Sequence, residues 1–433
     1  MTLVNPDLIK EIKKYSTKDF NISACFNCGN CTAICPLSDE EDPFPRRLIR
    51  FAQVGLKEKI LGSDQMWLCS YCNDCSDTCP RDAEPGEFVM ATRRWAMGQY
   101  DVTRISQLLQ KSRWGGFLAI GLIFVFSLIL FYLFSTPLNT PLERPIRLFD
   151  LVSKETVEIV GISLAAIVIV IIGLSILNMY RLISKEYNSN LTDGIKTAYK
   201  TRLKDKKLNT SYHLIFSPFI MTKQAFFVLI KEVFGQYRQL ECALPPHKPE
   251  FKSQFIRSRW FMHLFILWGF FGLGLSTALN MFLKPDPNVL VPITHPIRIL
   301  GIISGISLMI GISIAFWNRL KKTSRYSSHS LTCDWIFLVH LFLVGLTGFL
   351  VTINVYITAI PPMWGYLFFV AHIIVVIELI LLAPFGKFSH VWYRSFALWI
   401  HYGLHARQNK LEKEVKKAKM KSKEAKAKTA PIA

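Results

Sequence analysis

Acidic residues are scarce in this 433-residue chain: 31 Asp and Glu stand against 51 Lys and Arg, a formal net charge of +20. A soluble chain this basic would suggest a nucleic-acid partner. The apolar content argues against that, because hydrophobic residues make up 51% of the chain and gather in long runs. The first twenty residues, MTLVNPDLIKEIKKYSTKDF, have no apolar h-region and no small-residue cleavage site, which excludes a secretory leader there. Cysteine is nearly absent beyond residue 80, with only Cys242 and Cys333 standing apart. A disulfide framework would not crowd its cysteines in this way. The cysteine-bearing part is therefore expected in the reducing cytoplasm, where regular cysteine spacing means metal.

What is present is segregated. Six apolar segments, at about 116–134, 157–180, 260–283, 297–318, 334–356 and 365–388, each come near the ~20 residues that span a bilayer. The connections between the second and third (Lys204, Lys206, Lys207, Arg257, Arg259) and between the fourth and fifth (Arg319, Lys321, Lys322, Arg325) are basic. The tail adds Lys410, Lys413, Lys416 and Lys417, whereas the other connections are nearly neutral. Positive-inside counting predicts both termini in the cytoplasm and a multi-pass protein of the cytoplasmic (inner) membrane, with lipid rather than nucleic acid as the partner of the apolar surface. The apolar stretch 215–234, interrupted by Lys223 and Lys231, reads as an interfacial or partner-facing helix. Ahead of the spans, helices are expected over 1–20 (with Leu8, Ile9, Ile12 and Tyr15 on one side), 46–61 and 86–110. The expected fold class is all-α. Its divisions are 1–112, a cytoplasmic two-cluster domain; 113–182, two spans; 183–258, a basic loop; 259–402, four spans; and 403–433, a basic tail.

The cysteines form two identical runs. One is Cys25-x2-Cys28-x2-Cys31-x3-Cys35-Pro36 and the other Cys69-x2-Cys72-x2-Cys75-x3-Cys79-Pro80. Two-residue gaps wrap three thiolates around one 4Fe–4S cube, and the fourth cysteine of such a run ligates the other cube in two-cluster ferredoxins. The expected ligand sets are Cys25, Cys28, Cys31 and Cys79 for one cluster, and Cys69, Cys72, Cys75 and Cys35 for the second. Zinc favours close pairs separated by a spacer and closed at four ligands, which two tandem runs ending in Cys-Pro fit poorly. Cys242 and Cys333 read as ordinary small apolar residues.

A b-type haem in a helical bundle needs two neutral imidazoles facing each other from different helices. His213, His247 and His329 fall in loops, and His401 and His405 beyond the last span. His372 and His390 are eighteen residues apart, about five turns and roughly 27 Å, and so share a face if one helix carries both. Each would serve a different haem, giving one or two haems in all. His263, near the cytoplasmic end of the third span, is the expected partner of His390. For His372 the partner is His340 or His295. Gly274, eleven residues after His263 in WGFFGLG, leaves room for a flat macrocycle or for close helix packing. Glu378 is the one carboxylate deep in a span, about 240° around the helix from His372. It reads as a proton relay for quinone chemistry or as a protonated group bonded to a nearby Ser or Thr.

The helical segment between the two runs resembles the α-helical ferredoxin domain of succinate dehydrogenase-type iron–sulfur subunits. It is closer still to the C subunits of heterodisulfide reductases, where a Trp also stands two residues before the second run, as Trp67 does here. The stretch HIIVVIELILLAPFGKFSHVWYR (372–394) is similar to the final helix of heterodisulfide reductase E-like cytochromes and of nitrate reductase gamma subunits. Over about residues 1–402 the chain resembles the C subunits of quinone-interacting membrane-bound oxidoreductases. The resemblance implies b haem, a menaquinone site, and electron exchange with soluble flavin/iron–sulfur subunits that connect to adenylylsulfate reductase. Nitrate reductase gamma subunits carry a second histidine on the helix equivalent to the third span, where this chain has His263 alone. The chain has no Cys-Cys-Gly motif, so disulfide reduction is not expected of it.

Overall fold

The computed structural model describes residues 4–38, 43–112, 114–136, 146–190, 223–237, 239–240, 255–256, 258–283, 291–322, 330–357 and 359–403. They are helical, with no strand among the described residues. The N-terminal domain consists of α1 (Leu8–Lys13), α2 (Asn30–Ala33), α3 (Arg46–Gln53), α4 (Lys57–Leu61), α5 (Gln65–Leu68), α6 (Asp74–Asp77), α7 (Pro85–Tyr100) and α8 (Ile105–Lys111).

Each of the three helices expected here is shorter or broken. The first contracts to α1, where Leu8 and Ile12, one turn apart, are completely buried. The 46–61 segment breaks at Gly55, whose φ of +75° suits glycine and whose carbonyl accepts from the Asn5 amide at 2.8 Å. The 86–110 segment breaks after Tyr100, because Asp101 offers the backbone an alternative to the helix. Its carboxylate accepts from Thr103 N at 2.9 Å and from Ser106 N at 2.8 Å. Between these breaks α7 runs through the domain core, burying Phe88, Trp95 and Tyr100 against Leu8, Ile49 and Trp67.

Among the described residues six helices are long and apolar enough to cross a membrane, which makes this a multi-pass membrane protein. They are α9 (Gly115–Phe134), α10 (Lys154–Asn190), α12 (Arg259–Leu283), α13 (Pro296–Leu320), α14 (Thr332–Tyr356) and α15 (Pro362–Leu382). α11 (Lys223–Leu229), extended by a π-helical turn over Ile230–Phe234, falls in the stretch expected to be interfacial. Phe234 lies against Trp268 of α12, with ring centroids 5.9 Å apart. Residues 191–222, 241–254 and 404–433, with Lys204, Lys206, Lys207, Arg257 and Arg325, lie outside the described residues.

Two of the spans depart from expectation. α10 has 37 residues, roughly 55 Å at 1.5 Å per residue, well beyond one bilayer core. Its far end docks on the N-terminal domain through Met179 and Ile183, with Lys59 to Glu186 and Lys185 to Glu58 both at 2.8 Å. The last span, expected over 365–388, stops at Leu382. Pro384 and Gly386 follow, the chain turns over 383–388, and a new helix, α16, occupies 389–403. α16 adds Tyr393, Ala397 and Ile400 to the N-terminal core. His372 and His390 therefore stand on different helices, and the shared face expected from five continuous turns does not form.

Within the bundle, α12 and α13 pack closely at Gly269, where an added Cβ would come 2.5 Å from the Leu308 amide nitrogen, and at Gly272, where it would meet the Ser304 side chain. The glycine-rich run is thus used for close helix packing at Gly269 and Gly272. Gly274 instead faces open space.

Candidate redox site

The two cysteine runs fold alike, 44 positions apart. Asn27 and Tyr71 take φ of 62° and 58°, and Gly29 and Asn73 take 94° and 75°. After each pair of left-handed residues a one-turn helix begins, α2 in one run and α6 in the other, and the two short helices lie against each other. This pairing brings the fourth cysteine of each run to the other run. The Cys31 thiol is pushed up by burial, and the thiols of Cys25, Cys28 and Cys79 are its charged neighbours. The Cys75 thiol is pushed up by burial and by its neighbours Cys69, Cys72, Cys31 and Cys35. Burial also raises Cys72, to about 11. Crowded thiolates of this kind are costly unless cations neutralise them. Among the described residues no three His, Cys, Asp or Glu side chains converge on a single ion. In a cube each thiolate takes a different iron, so the donors stand apart. Two backbone amides point at sulfur: Tyr71 N to Cys69 Sγ and Ala83 N to Cys79 Sγ, both at 3.4 Å.

The second run sits in a cationic setting for which the sequence carried no motif. Arg93, buried in α7, donates to the carbonyls of Met66 and Cys69. Arg259, the first residue of α12, donates to the Ser70 carbonyl, so a membrane helix grips the cluster loop directly. Beneath them Glu87, 2% exposed, collects donors at Oε1 from Ser16 Oγ (3.0 Å), Thr17 N (2.8 Å), Thr17 Oγ1 (2.9 Å) and Arg94 (3.4 Å). Tyr71, from the second run, donates to its Oε2 at 3.0 Å. Trp67 is core, its ring 6.2 Å from Tyr100 and 5.9 Å from Tyr393 of α16.

The membrane histidines fall into three settings. His390 Nδ1 contacts the Lys387 carbonyl, which can only accept, so Nδ1 carries the proton and Nε2 is left with its lone pair. His263 of α12 is its electrostatic neighbour. His372 Nδ1 lies 2.8 Å from Thr347 Oγ1, whose own hydroxyl donates to the Leu343 carbonyl at 2.6 Å. Nδ1–H is again the donor and Nε2 again keeps its lone pair. Metal-bound histidines show this same arrangement, with the distal nitrogen donating to an acceptor. The His372 ring also rides over Gly348, where a Cβ would come 3.3 Å from Cε1.

His340 does not turn toward His372. Its Nδ1 is 2.8 Å from the Ile336 carbonyl and its Nε2 is 2.9 Å from Glu378 Oε2. Glu378 thus bonds a histidine, not the Ser or Thr expected as its alternative partner. His295 is exposed and caps α13, Nδ1 accepting from Ile297 N at 3.3 Å. His401 on α16 pairs with Asp64 at 2.8 Å. His213, His247, His329, His405 and Cys242 lie outside the described residues, and Cys333 is buried.

Residues 21–83, which hold both cysteine runs, match the family of the 4Fe-4S dicluster domain. The N-terminal domain is an iron–sulfur domain of that kind. Over 99 residues the chain is 31% identical to the iron-sulfur C subunit of the CoB–CoM heterodisulfide reductase of Methanopyrus kandleri, covering 22% of this chain and 52% of that protein. It is 38% identical over 77 residues to the C subunit of the H2:CoB-CoM heterodisulfide,ferredoxin reductase of Methanothermobacter thermautotrophicus, covering 18% and 41%. A protein of Archaeoglobus profundus, itself described as like the C subunits of heterodisulfide reductases, is 34% identical over 79 residues, covering 18% and 42%. The chain thus spans about half or less of the length of these relatives. No solved structure matches. An iron–sulfur domain similar to part of heterodisulfide reductase C subunits is here joined, among the described residues, to six apolar helices.

Proposed function

We propose that the chain relays electrons between the (mena)quinone pool and cytoplasmic flavin/iron–sulfur partner subunits. The path runs through b haem and two 4Fe–4S clusters and serves adenylylsulfate reductase in sulfur metabolism. The carrying observation is the exchange between the two cysteine runs, with Cys79 beside Cys31 and Cys35 beside Cys75. It supports Cys25, Cys28, Cys31 and Cys79 as one ligand set and Cys69, Cys72, Cys75 and Cys35 as the other. His263 and His390 suit one haem iron by proximity and by the bare Nε2 of His390. His372 suits a second, with an imidazole already held in the ligand tautomer. The clusters supply one-electron transfer. The protein's part is to hold their thiolates, donate amides to sulfur and bridge them to the bundle through Arg259.

The similarity to heterodisulfide reductase C subunits favours a second reading, a membrane donor to a heterodisulfide-type reductase. The proteins that copurify with the chain separate the two. The test of the relay itself is iron and haem content with variants. We expect about eight cluster irons per chain and a b-type pyridine haemochrome. Cys35→Ser should perturb the cluster held by Cys69, Cys72 and Cys75 while sparing the other in the EPR spectrum. Zinc in place of iron ends the iron–sulfur assignment, loss of only the Cys25 cluster ends the crossed pairing, and absence of haem leaves an iron–sulfur domain on a haem-free anchor.

A further inference from the structure

The two helices that carry His263 and His390 both reach the same short stretch, residues 67–70, at the start of the second cysteine run. On α12, Arg259 donates to the Ser70 carbonyl, and His263 follows one turn later. On α16, the Tyr393 ring lies 5.9 Å from the Trp67 ring, and His390 stands three residues before Tyr393. Trp67 and Tyr393 are 1% and 3% exposed, so this ring contact is sealed from solvent. Arg93 of α7 pins the same stretch through the carbonyls of Met66 and Cys69. Ser389, beside His390, is fixed to α7 by its Oγ contact with Met97 Sδ at 3.3 Å.

The first run is presented differently. Phe26 and Ile34, beside its cysteines, are 61% and 47% exposed. The Cys25 carbonyl is held from within the domain, accepting from Gln53 Nε2 of α3 at 2.9 Å. Electron tunnelling weakens steeply with each ångström of gap, and packed or bonded atoms carry it better than open space. Two arms of that kind lead from His263 and His390, electrostatic neighbours of each other, to Cys69. One is a turn of α12, the Arg259 guanidinium and Ser70. The other is a turn of α16, the Tyr393 and Trp67 rings, and the two residues from Trp67 to Cys69. Each arm has a single non-covalent step.

We propose that residues 67–70 are the port by which electrons cross between the membrane helices and the iron–sulfur domain, with Arg259 and the Trp67–Tyr393 ring pair as its bridging residues. The second cluster is then the membrane-side carrier and the first cluster the outer one. This rests on the haem and cluster assignments proposed above. The crossing moves one electron between ferrous haem and the oxidised second cluster, leaving ferric haem and a once-reduced cluster. No bond forms or breaks and no proton moves, so the same port serves the reverse direction.

The test uses the full chain with its cofactors in nanodiscs, and photoreduced deazaflavin as a flash-generated one-electron donor. Both runs have an exposed cysteine, Cys28 and Cys72, through which the donor reaches the clusters. Electrons then pass inward, and the haem α-band records their arrival as a first-order phase. Cys28→Ser, which disables the first cluster, should leave that phase in place. Cys72→Ser, which disables the second, should abolish it, with EPR showing the remaining cluster in each variant. Tyr393→Leu should slow the phase about tenfold, and Tyr393→Phe, which keeps the ring, should run at the wild-type rate. The midpoint potentials of haem and clusters should be unmoved in both, which separates a lost bridge from a lost driving force. If Tyr393→Leu does not assemble, Trp67→Phe, which opens a gap toward Tyr393, should slow the phase in the same sense. A phase that survives Cys72→Ser and vanishes in Cys28→Ser reverses the order and removes the port. A wild-type rate in Tyr393→Leu removes the ring pair as a bridge. Wild-type protein without a haem band ends the haem assignment itself, whereas intact haem whose reduction is indifferent to Cys72→Ser sinks the port alone.

Discussion

Single side chains decide how the second cysteine run differs from the first. Arg93 and Arg259 both donate to its carbonyls, from a core helix and a membrane helix respectively. Positive charge beside a cluster favours its reduced, more negative form, so these contacts raise its potential. Arg259→Gln should lower the midpoint potential of the second cluster by about 60 mV, the one-electron equivalent of a ~1.4 kcal/mol interaction. A redox titration followed by EPR would show this, with the first cluster unmoved. Equal shifts in both clusters would instead mean that the domain had loosened as a whole. The cysteines were legible from spacing because ligation geometry constrains spacing. The arginines were not, because a buried cation donating to carbonyls demands no neighbour in sequence. His340 was misdirected for a similar reason. Its partner Glu378 lies on another helix, and rotation about the helix axis from His372 says nothing of what faces it there.

Elements follow the sequence where the apolar period is long and depart from it where one residue interrupts it. All six long helices were visible as apolar runs, since a bilayer leaves few alternatives for such segments. The breaks were written in Gly55, Asp101 and Pro384, residues whose backbone chemistry outweighs the surrounding periodicity. Pro384 and Gly386 lay within the very stretch whose two histidines suggested one continuous helix. Gly55 offers a test at this scale. A Cβ there would sit 2.3 Å from the Asn5 carbonyl oxygen, and its φ is left-handed. Gly55→Ala should therefore destabilise the iron–sulfur domain by about 2 kcal/mol or more. Thermal bleaching of cluster absorbance would record it as a lower midpoint, and an unchanged midpoint would show that the α3–α4 corner is not under this constraint.

The whole molecule is less divisible than its composition suggests. A cut near residue 112 looked natural from hydropathy, yet α10 and α16 return from the apolar part to finish the iron–sulfur core. Nothing local in the sequence announces that Met179, Tyr393 or Ile400 joins the core that holds Trp67, because these residues lie more than a hundred positions from it. The docking also ties orientation together, since the ends of α10 and α15 near the iron–sulfur domain must share its side of the membrane. With the basic connections counted, that side is expected to be the cytoplasm. An epitope near Leu142 should then be labelled from outside intact cells, while one after Ala433 should be reached only after lysis. The opposite pattern would invert the topology.

The late return of α16 has a consequence for how the protein is made. The ribosome releases the cysteine runs long before residues 389–403 exist. At 5–20 residues per second, the wait from residue 112 to residue 403 lasts roughly 15–60 s. Throughout it Trp67 and Tyr100 lack Tyr393, their aromatic neighbour on α16. For that interval the domain's core stays open on the face that α16 covers. α16 is the latest-made of the described helices, so the core of the first domain is completed only after all the described spans have been translated.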